Sequence, residues 1–177
     1  QSEKLLLRGA DSTSTACVNY TWAAHAAHQA GKYEVRDYHF SMAKKCAPEA
    51  RAALNVLQAG LLLDQGLPKQ ALVSLNQQSN KIRSSQKIAT LFANAYMQLG
   101  DWQKLAELIP DLHRVKGIDK QFLKNIEKFT VQGLLHAGKP KIGSEAVENI
   151  SSRFKHVIFS DSELAVSYIK ALRQQGK

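Results

Sequence analysis

The phrase Gln98-Leu99-Gly100-Asp101-Trp102 ends one apolar helical pattern and starts another. Upstream of it, Ala89, Phe92, Ala93 and Tyr96 keep the i, i+3, i+4, i+7 rhythm of a single helix face. A glycine between two such patterns can adopt the positive φ that caps a helix and turns the chain sharply. The phrase returns as Gln29-Ala30-Gly31-Lys32-Tyr33, as Asp64-Gln65-Gly66-Leu67-Pro68 and as His136-Ala137-Gly138-Lys139-Pro140, with Gln174-Gln175-Gly176 at the end. Its glycines recur at intervals of about 34 to 38 residues, the mark of a repeat architecture built from helix hairpins.

A period near 34 is the tetratricopeptide length. Tyr33, Phe40, Ala43 and Pro48 follow the first turn in that repeat's order of aromatic, A-x3-F and closing proline, with Arg36 standing where alanine is usual. Ala71-x3-Leu75 keeps the alanine in the second repeat, and Leu105-x3-Ile109 keeps only hydrophobicity in the third. The predicted fold is therefore all-α: tetratricopeptide-like helical hairpins stacked as a right-handed α-α superhelix. One repeat domain is expected over 1–177, with a partial repeat at 1–12, full repeats near 16–48, 49–83, 84–117 and 118–156, and a partial repeat at 157–177.

Helices are predicted over 3–10, 16–30, 34–46, 49–65, 68–80, 84–99, 102–115, 119–137, 141–155 and 161–175. Pro110 should kink or split the seventh, and Ser160-x-x-Glu163 reads as a capping box for the last. The incomplete repeats at either end, and a chain opening on Gln1, read as a piece of a longer solenoid. Unpaired terminal helices of such a piece should expose apolar surface and invite self-association.

Ala, Leu, Gln and Lys are abundant and aromatics make up only 7%, a composition of helix formers. The net charge is +9, from 24 Lys and Arg against 15 Asp and Glu. These cations are spread along the chain with no dense block or aromatic interleaving, so nucleic acid is not an expected partner. Cys17 and Cys46 lie in neighbouring elements without metal-ligand spacing and are expected as small buried thiols in a reducing compartment. No apolar run reaches membrane-spanning length, and no paired carboxylates, nucleophile-base triad or phosphate loop appears, so catalysis is not expected.

Four phrases carry a family likeness: Lys4-Leu-Leu-Leu-Arg-Gly-Ala10, Val18-Asn-Tyr-Thr-Trp-Ala-Ala-His-Ala-Ala27, Leu57-Gln-Ala-Gly-Leu-Leu-Leu-Asp-Gln-Gly66 and Leu99-Gly-Asp-Trp-Gln-Lys-Leu-Ala-Glu-Leu-Ile-Pro110. They resemble the HemY family, bacterial inner-membrane tetratricopeptide proteins associated with haem biosynthesis. Beyond Pro110 and its neighbours the likeness rests on helical layout more than wording. The resemblance implies two membrane helices upstream of this region, with the cytoplasmic face favoured and the periplasmic face the alternative. It implies an accessory, non-catalytic role in protohaem formation or delivery, with haem-biosynthetic enzymes as partners. It supplies no catalytic residues.

Repeat arrays of this type bind along a groove lined by the first helix of each repeat. Repeat alignment places Val18, Thr21, His25 and His28 on that groove from the first full repeat, and Ala53, Val56, Gly60 and Leu63 from the second. Lys87, Thr90, Asn94 and Met97 follow from the third, then Asn125, Lys128, Gln132 and Leu135 from the fourth. Thr90, Asn94, Lys128 and Gln132 have the donors and acceptors to pair with an extended peptide. His25 and His28 share a helix face, which makes them the candidate ligands in an alternative reading, a haem or porphyrin carrier. No metal site is otherwise expected, and no cofactor apart from that haem.

Overall fold

A computed structural model describes residues 13–136 and 144–174, and every regular element among them is helical. The helices are α1 (Thr13–Gln29), α2 (Tyr33–Cys46), α3 (Arg51–Asp64), α4 (Pro68–Leu75), α5 (Gln86–Leu99), α6 (Trp102–Leu112), α7 (Lys120–His136), α8 (Ser144–Ser160) and α9 (Ser162–Arg173). Short 3₁₀ segments at Pro48–Ala50 and Asn76–Ser84 precede α3 and follow α4. The predicted helix over 3–10 and the turns at Gly138 and Gly176 lie outside the described residues.

The glycine phrase has one local geometry. Gly31, Gly66 and Gly100 have φ of 70°, 75° and 66°. At each, the next residue's N–H reaches back five residues to a carbonyl: Lys32 to Ala27 at 2.8 Å, Leu67 to Leu62 at 2.8 Å and Asp101 to Tyr96 at 3.0 Å. The glycine N–H bonds the carbonyl three residues back, which completes the Schellman motif and satisfies the helix end. A β-carbon would strain the glycine φ, so these turns are written into the sequence by residue type.

The chain forms two compact units that divide between Gln78 and Ser79, within the second 3₁₀ segment. In the first unit α1 pairs with α2 and α3 with α4, and α2 also packs on α3. Ala23, Ala24 and Ala27 are fully buried in α1, and small side chains there let α2 approach closely enough to bury Phe40 and Ala43. Leu54 and Leu61 of α3 join Ala24, Phe40 and Ala43 in one cluster, flanked by Tyr20 and Leu57. In the second unit α6 packs on α5 and α7, α7 on α8, and α9 on both α7 and α8. Leu105, Ala106 and Leu112 of α6 and Val131 of α7 are completely buried there.

Several local expectations need correcting. The second hairpin's second helix stops at Leu75, because Asn76-Gln77-Gln78-Ser79-Asn80 is rich in side chains that compete for backbone hydrogen bonds, and the chain tightens to 3₁₀. Pro110 does not split α6; it occupies the last turn, and the helix ends two residues later. The cap of α9 is Asp161, whose Oδ1 accepts from the N–H of Glu163 and Leu164, whereas Ser160 donates its hydroxyl to the Val157 carbonyl. Helix α8 is broken by a kink at Phe154 (φ −123°, ψ 20°), next to the end expected at 155, and further helical turns carry it to Ser160.

The largest departure concerns the cysteines. Cys17 of α1 and Cys46 of α2 are joined in a disulfide, with Cα atoms 5.4 Å apart. The two positions lie almost equally far from the Gly31 turn along the chain, so an antiparallel hairpin sets them side by side. The expectation of separate thiols fails because it treated neighbouring helices without pairing their positions.

Candidate partner-binding surface

The polar architecture of the first unit centres on Arg36. Its guanidinium is 1% exposed, an unusual location for a charge that strongly prefers water. Nε and Nη2 donate to the two carboxylate oxygens of Asp37 at 2.9 and 3.1 Å, and Nη1 donates to Gln65 Oε1 at 2.6 Å. The Tyr33 ring lies beside the guanidinium carbon, 5.2 Å from its centroid. A planar fork of donors suits this junction, where the end of one hairpin meets the turn of the next.

Nη1 of Arg36 also lies 3.3 Å from Nδ1 of His28. Because guanidinium only donates, Nδ1 accepts, and a neutral His28 then carries its proton on Nε2. Burial, and then the Arg36 charge, push the His28 pKa below its ordinary value, with Asp64 pulling weakly the other way. A metal at Nδ1 would displace Arg36; a metal at Nε2 would require moving the proton that sits there. His25, one turn away, is half-buried with Nδ1 lacking a hydrogen-bond partner among the described residues. No group of three metal-binding side chains occurs among the described residues.

The remaining predicted groove residues divide by environment. Thr21 is half-buried and returns its hydroxyl to the Cys17 carbonyl, 3.2 Å away. Val56 and Leu63 are buried, at 8% and 6% exposure, so they supply packing and little surface. Their face of α3 is covered because six residues of that helix, including the run Leu61-Leu62-Leu63, are buried. In the second unit Thr90, Asn94 and Met97 lie half-buried on α5. Lys128 of α7 is held by Asp161 at 2.6 Å, and that hydrogen bond raises the lysine's pKa and lowers the aspartate's. Gln132 is exposed and shares an open cavity of about 380 Å³ with Trp102, Phe129, Gly133 and His136.

In the second unit sequence reasoning missed two constellations. Trp102 lies flat against Gly133, where a β-carbon would collide with the indole. Glu127, nearly buried on α7, accepts from His113 Nε2 at 2.8 Å and has His156 Nε2 at 3.7 Å. The glycine inside the α7 pattern was the available signal for the first; the second has no local sequence signature. Exposed apolar side chains also stand on first helices: Val18 and Trp22, one turn apart on α1, are 54% and 58% exposed.

With this geometry in hand, comparison with characterised proteins finds one recurring match, 25% identical over 149 residues, in Escherichia coli K12, Escherichia coli O157:H7 and Shigella flexneri. The chain is similar to Protein HemY. The aligned part covers 84% of this chain but spans only 37% of the length of those HemY relatives. No family model matches the sequence. No solved structure matches it either. Among the described residues no helix is long and apolar enough to cross a membrane.

Proposed function

We propose that this region is a non-catalytic protein-binding scaffold of the tetratricopeptide type, accessory to protohaem formation and part of an inner-membrane protein. The observation that carries the reading is the threefold Schellman turn at Gly31, Gly66 and Gly100, which repeats one helical hairpin at tetratricopeptide spacing. First helices of such hairpins bind partners, and α1 presents Val18 and Trp22 to solvent while α5 presents polar Thr90 and Asn94 beside Met97. The likeness to HemY supports the haem-pathway setting and the enzymes of that pathway as partners.

The scaffold is favoured over a haem carrier because His28 is already engaged by Arg36, so ligation through either nitrogen works against an existing bond. The Cys17–Cys46 disulfide favours the periplasmic face, since the bacterial cytoplasm keeps thiols reduced. Co-purification of the full-length protein with late haem-pathway enzymes tests the function. Wild type should retain at least one of them, and Trp22→Glu with Asn94→Lys should release it. Retention unchanged by both substitutions, or no such enzyme retained, contradicts the proposal.

A further inference from the structure

A second polar feature of the first unit lies along the seam between α2 and α3, away from the predicted groove residues. An open cavity of about 340 Å³ is lined there by Asp37, Phe40, Ser41, Lys44 and Lys45 from α2 and by Arg51 and Gln58 from α3. Three cations therefore share one small site. The single carboxylate on its wall, Asp37, accepts from Arg36 at both oxygens and from Gln58 Nε2 at Oδ1, 3.4 Å away. Lys44 donates instead to a neutral amide, Gln58 Oε1, at 2.6 Å. Among the described residues, Lys44, Lys45 and Arg51 make no ion pair, and Glu49 on the intervening turn makes none with them either.

Folding alone accounts for only part of this arrangement. Lys44 and Lys45 occupy the last turn of α2, where cations favour the carbonyl end of the helix. Arg51 opens α3 directly after the Pro48–Ala50 turn, with its N–H bonded to the Pro48 carbonyl, so no such carbonyl end favours its charge there. Burial and the Arg51 charge hold the Lys44 pKa below its ordinary value, with Asp37 opposing. Three positive side chains thus converge on a cavity that also offers the Ser41 hydroxyl.

We infer that the α2–α3 seam binds a polyvalent oxyanion, a phosphate group or a set of carboxylates, through Lys44, Lys45 and Arg51. The Arg51 fork can donate to two oxygens side by side, and the lysines supply point charges on the same cavity. The anion removes the like-charge crowding, so its binding raises the Lys44 pKa toward the ordinary lysine value.

The test titrates the intact chain with inorganic phosphate and, separately, with citrate at fixed ionic strength, followed by calorimetry and by side-chain NMR of Lys44. Saturable binding is expected, with at least tenfold weakening in Lys44→Gln/Arg51→Gln. Equal charge loss elsewhere, in Lys155→Gln/Lys170→Gln, should leave affinity within twofold. Preference for phosphate identifies a phosphate-bearing ligand, and preference for citrate a polycarboxylate; either supports the site. If the double variant fails to fold, Arg51→Gln alone, at an exposed position, should weaken binding severalfold. Absence of saturable binding by both anions, or matching losses in the seam and control variants, overturns the inference.

Discussion

Arg36 on α2 donates through Nη1 to Oε1 of Gln65, 2.6 Å away at the turn that closes α3, and so ties the first hairpin to the second. The residue usual at this repeat position is alanine, which would leave the junction apolar and small. Arg36→Ala should therefore destabilise the protein by about 1.5 to 3 kcal/mol, the worth of hydrogen bonds to a charged group. Urea unfolding measures it, and a midpoint within error of wild type would deny Arg36 this structural role.

The Cys17–Cys46 disulfide closes the α1–α2 hairpin at its open end, opposite Gly31. Constraining the unfolded chain in this way stabilises a domain by about 2 to 4 kcal/mol. Reduction, or Cys17→Ser/Cys46→Ser, should lower the urea midpoint accordingly. Thiol alkylation of the unreduced, denatured protein should label neither cysteine; full labelling would refute the pairing.

Gly133 and Trp102 form a size-dependent pair. Gly133→Ala places a methyl into the indole and should cost about 1 to 3 kcal/mol through overpacking. In a Trp102→Ala background the same change should become neutral or stabilising by up to about 1 kcal/mol, because alanine is the better helix former. Equal effects in the two backgrounds, measured by a double-mutant cycle, would show that the contact is not decisive.

His28 predicts a pH dependence with a definite sign. Its folded pKa lies below the ordinary histidine value of about 6.5, so the unfolded chain takes up the proton first as pH falls. Stability from this group is complete above about pH 6.5 and declines as the pH drops toward the folded pKa. Between pH 8 and pH 5.5 the urea midpoint should fall further for wild type than for His28→Gln. Identical declines would mean that His28 does not contribute.

The parts of this fold legible in the sequence are those governed by single residue types at fixed spacing. Glycine at the turns, alanines on α1 and the aromatics Tyr33 and Trp102 after two of the turns announce hairpins, because each meets a local steric demand. The run of Asn, Gln and Ser after Leu75 was misread as helix since apolar periodicity outweighed its weak propensity. Repeat position alone does not show that the first unit's leucine-rich packing buries Val56 and Leu63. The Arg36 network, the disulfide and the Glu127–His113 bond depend on which residues tertiary packing brings together, and local patterns do not contain that information.

The proposed role as a scaffold is tested most directly by site-specific photo-crosslinking in cells producing the full-length protein. A photoreactive residue at Trp22 or Asn94, on first helices, should capture a haem-pathway enzyme, whereas one at Glu107 or Glu34, exposed on second helices, should not. Capture of that enzyme equally from all four positions, or from none, would contradict binding along the first helices.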